Sequence, residues 1–294
     1  MKYLSAVTLL WAFSFSLIGV YLAGQVDAWF SAASRIALAG LVFLPFIRLK
    51  NLSVKLALQI AGVGAFQLGL MYCFYYQSFI YLSVPEVLLF TVLTPIYVTL
   101  LYDLGQRRFS PVFLLSAVIA VIGAMTIKYQ GINSGFITGF LIVQGANLSF
   151  AIGQVAYKRI MEQQPEPINQ ASIFGLFYVG AFAVALPMYL IFGDSNKLPT
   201  TGMQWMILTY LGIFASGLGY FFWNKGATLV NAGTLAVMNN ALVPAGLIVN
   251  IVIWNREADL MRLTVGGLII IGSLWLNQRW TNAQHPDSLS SPAK

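Results

Sequence analysis

The sequence predicts an all-α integral membrane protein of ten transmembrane helices, arranged as two inverted five-helix repeats with both termini in the cytoplasm. Three observations predict it. The 294 residues are 59% hydrophobic and 9% charged, against roughly 25% charged residues in a soluble domain, and the mean hydropathy is +0.78. Apolar stretches recur at the roughly 20-residue length that crosses a bilayer. Two of them, at matching places in the two halves, carry polar groups and then a Leu-x-Pro: Leu93-Thr94-Pro95 and Leu242-Val243-Pro244.

In chain order, spans are expected over residues 3–23, 28–47, 55–80, 85–102, 111–128, 134–157, 171–192, 202–223, 233–254 and 260–278. Helix breakers separate them: Asn51, Ser110-Pro111, the Gly131 to Gly135 stretch, Gln163 to Pro167, Gly193 to Lys197 and Asn255 to Asp259. Lys2 followed by Tyr3–Ala23 has the basic start and apolar core of a secretory signal. Trp11, Ser14 and Ser16 inside it, and no small-x-small cleavage site before Gln25, favour a first span instead.

With ten spans and an inside amino terminus, eleven Lys and Arg fall on the cytoplasmic side and four (Lys128, Lys197, Arg256 and Arg262) on the other. The positive-inside rule therefore puts both ends in the cytoplasm. Five spans per half force the second half to enter the membrane from the opposite face, which makes the halves inverted repeats. The first is expected over residues 1–130 and the second over 131–280. At an offset of 149, Leu93 and Pro95 fall on Leu242 and Pro244, and Gln67 falls on Ser216. The polar, Pro- and Ser-rich residues 281–294 cannot bury enough apolar surface to order themselves and are expected to be disordered.

Composition also excludes functions. The net charge of +7 is scattered in singles and pairs at span ends, not gathered into a nucleic-acid patch. Cys73 is the one cysteine and His285, in the tail, the one histidine, so disulfides, Cys metal clusters, hydrolase triads and histidine proton relays are out. There is no Walker A or dinucleotide fingerprint, no HExxH, and no GxSxG with a histidine partner. No enzyme activity, cofactor or metal is expected.

Polar groups inside spans are costly and need a partner or a cavity. Arg35 is the one basic residue well inside a span; it either attracts an anionic ligand or ties the interface together. Glu86 is the carboxylate nearest a span interior. Ser83-Val-Pro-Glu86 reads as a capping box, with proton coupling or amine binding as the alternative. Asn239 and Asn240 lie mid-span one turn before Pro244 and are expected to bond each other, the carbonyl that the proline frees, or a polar ligand head. Gln67, Gln144 and Asn147 are further amides, as ligand contacts or interhelical glue. Gln67, Met71, Phe74, Tyr75 and Ser78 recur at three- and four-residue spacing and share a helix face. Tyr220 and Trp223 line the matching face of the eighth span, or else serve as a belt near the inner headgroups. Trp11 and Ser14 sit one turn apart in the first span. Tyr21, Trp29, Tyr102, Tyr129, Trp205, Trp254 and Trp280 fall at span ends as an interfacial belt. The Gly135 to Gly139 and Gly267 to Gly272 stretches are expected to be close helix contacts. Pro95 and Pro244 are expected to bend their helices near a pivot.

Ten spans in two halves, the Ala33 to Gly40 segment and the paired Leu-x-Pro resemble the drug/metabolite transporter superfamily of the EamA type, over about residues 1–280. Leu10 to Ser16, Leu88 to Pro95, Phe150 to Arg159 and Asn231 to Asn240 resemble the bacterial biotin transporters of the carboxylate/amino acid/amine transporter group. The resemblance implies a secondary carrier that imports biotin across the bacterial inner membrane by alternating access, as a monomer or homodimer in the lipid bilayer. It also implies a site in which Asn239, Asn240 or Gln67 bond the ureido ring. Trp11, Phe74, Tyr75, Phe90 and Trp223 would enclose the body, and Arg35 or tyrosine hydroxyls would meet the carboxylate. Because Phe90 stands in the fourth span and the two amides in the ninth, an aromatic wall is expected from one and hydrogen bonds from the other. An exporter of amino acids or other metabolites, and a receptor or scaffold without flux, are the alternatives.

Overall fold

The computed structural model describes residues 1–50, 52–105, 134–230, 232–254 and 264–269, with a few further positions between 115 and 126 and between 261 and 279. Most of the expected fifth and tenth spans, the boundary between repeats and the tail lie outside the described residues; the positions described within those two spans are helical. Tyr129 and Trp280, and the side chain of Tyr102, lie outside them too.

The described residues form helices and no strand. In order they are α1 (Lys2–Leu22), α2 (Ala28–Phe46), α3 (Val54–Tyr81), α4 (Val84–Thr91), α5 (Thr94–Gly105), α6 (Ser134–Glu162), α7 (Gln170–Phe192), α8 (Gly202–Ala227) and α9 (Ala232–Trp254). Among the described residues six helices, α1, α2, α3, α6, α7 and α8, are long and apolar enough to cross a membrane. Leu9, Leu58, Leu141, Leu190 and Val252 stand exposed on their outer faces. An apolar surface of that extent suits lipid and not water, and the chain is a multi-pass membrane protein.

Local chemistry sets the helix starts. Asp27 accepts from the Phe30 amide at 2.7 Å, Ser53 from Leu56 at 3.2 Å and Asn169 from Ala171 at 3.1 Å, each meeting an orphan donor of a first turn. Thr201 and Gln204 form a capping box on α8, and Ser83 and Glu86 form the expected one on α4. Gly24, at φ 75°, makes the left-handed turn after α1 that side chains resist.

The ends of the bundle are tied separately. At the base, Tyr3 stacks on Phe222, the Arg48 amide donates to the Ser172 carbonyl, and Lys158 Nζ donates to the Ala227 and Val230 carbonyls. At the top, the Asp27 amide donates to the Lys197 carbonyl and the Asp194 amide to Asp27 Oδ2. Tyr21 meets Trp254, Trp29 meets Phe192, and Trp205 meets Phe30 there. Between the ends, helices of the two halves interleave: α1 packs along α9, α2 on α7 and α8, and α3 on α6 and α7. Gly139 packs closely on Tyr81 and Leu82, as a small-residue contact should, whereas Gly272 meets no described atom within 4 Å.

Two features depart from the expected pattern. The helix expected over 85–102 is broken at Val92-Leu93, between α4 and α5, whereas Pro244 sits inside an unbroken α9. The paired prolines are thus not equivalent. Three helices also carry wide π turns, at Ile18–Leu22, Ala65–Leu70 and Leu211–Leu218. The second and third overlap at the 149-residue offset, and they hold Gln67 and Ser216.

Candidate functional site

The third π segment organises the centre of the molecule. A π turn widens the helix and releases carbonyls from its ladder. Here those carbonyls are taken by side chains: Trp11 Nε1 donates to Ala215 at 2.8 Å, and the Tyr178 hydroxyl lies 2.9 and 2.7 Å from the Ser216 and Gly217 carbonyls. Ser216 Oγ turns the other way and accepts from Arg35 Nε at 3.1 Å.

Arg35 is 2% exposed. Nη1 donates to the Tyr76 hydroxyl at 2.9 Å and Nη2 to the Tyr72 hydroxyl at 2.7 Å. Its guanidinium also lies 4.5 Å from the Tyr72 ring centre, a cation–π distance. Three of five N–H donors are used, all by neutral oxygens, and no carboxylate among the described residues pairs with it. A cation buried this way is held in place without being neutralised, so it favours an anion.

Arg35 lines a cavity whose empty space, open mouth included, is about 700 Å³. Trp11, Phe15, Tyr72, Tyr75, Phe150, Tyr220 and Trp223 supply its aromatic surface. Trp11 lies 5.0 Å from both Tyr220 and Trp223 by ring centre, and the Trp223 indole N–H donates to Gln154 Oε1 at 3.0 Å. The polar lining is Arg35, Ser14, Thr91, Thr94, Asn147 and Asn239.

The broken helix explains two of these. Pro95 has no N–H, so the Thr91 carbonyl loses its helical donor; Thr94 Oγ1 donates to it at 2.7 Å instead. Thr91 Oγ1 donates to the Leu88 carbonyl at 2.6 Å, and Asn147 Nδ2, from α6, to the Phe90 carbonyl at 2.8 Å. Irregular backbone at membrane depth is tolerated where it faces protein or a cavity and its groups are met. Asn147 Nδ2 also donates to Gln144 Oε1 at 3.1 Å, and Asn239 Nδ2 to the Leu235 carbonyl at 3.1 Å. Asn147 thus gives both amide hydrogens to protein and Asn239 one of its two, which leaves each side-chain carbonyl as an acceptor for a ligand in the cavity.

Of the residues singled out in the sequence, Trp11, Ser14, Arg35, Met71, Tyr75, Asn147, Tyr220, Trp223 and Asn239 line this cavity. Tyr220 and Trp223 are buried, at 3% and 1% exposure, and so do not serve as a headgroup belt. The others lie elsewhere. Gln67 packs against Gly153 of α6, and Phe74 against Gly145. Phe90 is fully buried on Phe136 and Phe140, so the fourth span contributes threonines to the cavity and not an aromatic wall. Gln144 accepts from the Tyr97 hydroxyl at 3.2 Å. Glu86 Oε2 accepts from the Ser83 amide and hydroxyl, both at 2.8 Å. Asn240 stands outside the lining, its Oδ1 buried without a partner among the described residues. Sequence reasoning misses Tyr72, Phe15, Phe150, Thr91 and Thr94. Tyr72 and Tyr76, one turn apart, and Phe150, one turn beyond Asn147, are the available signals.

The comparisons agree with this architecture. The sequence profile of the EamA-like transporter family matches residues 2–129 and 137–278. A protein of Pseudomonas aeruginosa named "Probable biotin transporter" is 53% identical over 278 residues, 95% of this chain and 97% of that one. The "Biotin transporter" of Escherichia coli K12 is 50% identical over 281 residues, 95% of this chain and 93% of that one. A crystal structure at 16% identity shares the fold, with a TM-score of 0.65 over 97% of this chain and 99% of that one. With both halves of the chain matched and the relatives alike from end to end, this protein belongs to the EamA-like transporter family, and it is a membrane transporter and not an enzyme.

Proposed function

We propose that the chain is a secondary active importer of biotin in a bacterial inner membrane, working by alternating access. The observation that carries this reading is the 50–53% identity, across about 95% of the chain, to proteins named as biotin transporters. The cavity suits that substrate. Biotin has a carboxylate, an apolar body and a ureido ring with two N–H donors. Arg35 offers unneutralised donors, the tryptophans and tyrosines an apolar enclosure, and Asn147 and Asn239 two carbonyl acceptors. In this reading Arg35 meets the carboxylate and the asparagines meet the ureido N–H groups.

The same proposal takes the chain as ten spans in two inverted repeats, residues 1–130 and 131–280, with the base of the bundle and both termini in the cytoplasm. The charge asymmetry supports the orientation, and the π turns that overlap at the 149-residue offset support the repeat. Rocking of one repeat on the other, with the Val92-Leu93 break before Pro95 as the yielding point, would expose the cavity to each side in turn.

Counterflow of labelled biotin in proteoliposomes tests transport, and growth of a biotin auxotroph at low biotin tests its direction. Folded protein that shows no counterflow overturns the reading. Counterflow without rescue of growth points to export.

A further inference from the structure

Beneath the cavity, towards the base, lies a layer of amides that the described structure leaves unsatisfied. Gln67 of α3 is wholly buried, and neither of its side-chain polar atoms has a partner among the described residues. Gln154 of α6 is wholly buried and uses Oε1 for Trp223, while its Nε2 has none. Asn224 of α8 donates from Nδ2 to its own Tyr220 carbonyl at 3.0 Å, while its buried Oδ1 has none. Gly153 brings α6 so close to α3 that a Cβ there would strike Gln67. Above this layer Trp11 and Trp223 close the cavity.

A buried polar group without a partner carries its full desolvation penalty, and apolar residues would fill this layer at lower cost. Interhelical glue does not account for it, since glue would be bonded. In a conformation where water or ligand reached them, the groups would be satisfied. We infer that Gln67, Gln154 and Asn224 line the route by which the cavity opens to the base of the bundle, and that the Trp223–Gln154 hydrogen bond latches that route in the conformation described. This rests on the transport reading. Turning Trp223 aside would open the floor and free Gln154 Oε1 at the same moment, so one rotation removes the barrier and wets the amides beneath it. Three amides line the route, and Lys158, one turn beyond Gln154 on α6, stands at its base end with Nζ on the Ala227 and Val230 carbonyls, so the ligand class that such a route passes is hydrogen-bonding at its leading end.

The test uses Gln154→Cys in a Cys73→Ser background, with a membrane-impermeant thiosulfonate applied to oriented vesicles during biotin exchange. Labelling from the base side alone is expected. No labelling from that side, while Asn239→Cys reacts, overturns the route. Gln67→Leu reads the same idea without a cysteine. It removes two unsatisfied atoms from the latched conformation, so thermal stability rises and biotin affinity is kept. The counterflow rate falls about tenfold, because the open route loses a polar wall. Unchanged counterflow, or lower stability, overturns the inference. Wild-type counterflow run alongside separates the outcomes: its absence sinks the transport reading, whereas its presence with a dry Gln154→Cys sinks the route alone.

Discussion

Arg35 and Tyr72 meet twice: Nη2 donates to the Tyr72 hydroxyl at 2.7 Å, and the guanidinium lies 4.5 Å from the ring centre. The hydroxyl is also 2.7 Å from Ser216 Oγ, which accepts from Arg35 Nε. The guanidinium, a ring, a phenol and a serine thus form one closed set. It fixes the plane of the cation while leaving two donors unspent, and that is how a carrier can hold a charge ready for an anion without an internal carboxylate to compete for it.

Arg35→Lys keeps the charge and loses the fork. Apparent biotin affinity is expected to fall at least about tenfold, since bonds to charged groups contribute about 1.5–3 kcal/mol. Tyr72→Phe keeps the ring and loses the hydroxyl, so its loss is smaller than that of Arg35→Lys. Ligand-induced thermal shifts rank the two variants. An Arg35→Lys protein that binds as wild type does would remove Arg35 from the site.

Asn147 and Asn239 separate on stability. Asn147 Nδ2 meets the Phe90 carbonyl in the broken helix, and Asn239 Nδ2 only its own helix at Leu235. Asn147→Ala strands a buried carbonyl and is expected to cost about 1–3 kcal/mol of stability as well as affinity. Asn239→Ala loses affinity with little change in melting temperature. Melting curves with and without biotin read both effects, and equal destabilisation by the two variants would contradict this division.

What the sequence made legible follows from how local each signal is. Among the described residues, the break at Val92-Leu93 apart, the helix limits lie within a few residues of expectation because a bilayer fixes span length and caps such as Ser83 and Glu86 act within one turn. The facing of side chains was less legible. Gln67 and Phe74 share a stripe with Met71 and Tyr75, yet they pack on α6 at Gly153 and Gly145. A π turn at Ala65–Leu70 shifts the register inside that stripe, and α3 has protein on several sides, so periodicity alone could not choose its cavity face. Nor does Leu-x-Pro distinguish a break from a tolerated proline. Thr91, Thr94 and Asn147 stabilise the break at Val92-Leu93, and Asn147 lies 56 residues from Thr91 in the chain.

The two prolines should therefore respond unequally. Pro95→Ala restores an N–H that competes with Thr94 Oγ1 for the Thr91 carbonyl, so α4 and α5 tend to fuse and the threonines turn from the cavity. Transport is expected to fall several-fold while the protein stays folded. Pro244→Ala, inside an unbroken helix, has the smaller effect. Counterflow rates of the two variants check the order.

Glu86 acts on α4 as a cap, with one carboxylate oxygen on the Ser83 amide and hydroxyl. Glu86→Gln keeps an acceptor there, so the pH dependence of transport is expected to stay as in wild type. Glu86→Ala removes the acceptor and costs about 0.5–2 kcal/mol of stability. A Gln variant whose transport no longer varies with pH, where wild type does, would give Glu86 a coupling role.

Gly64 and Gly180 allow α3 and α7 to touch backbone to backbone: a Cβ on Gly64 would meet the Phe177 carbonyl, and one on Gly180 the Ala61 carbonyl. Neither neighbour is a side chain that can swing away, so Gly64→Ala or Gly180→Ala forces the helices apart. Overpacking of this kind costs about 1–3 kcal/mol. Without a hydrophobic force between helices in lipid, close contact supplies much of their association, so the loss shows as lower thermal stability. At Gly62, two residues from Gly64 on the same helix, an added methyl group would meet no described atom within 4 Å. Gly62→Ala is expected to hold or raise stability, because alanine favours a helix by about 1 kcal/mol over glycine. If all three alanines melted alike, the contact between α3 and α7 would not be the reason these glycines matter.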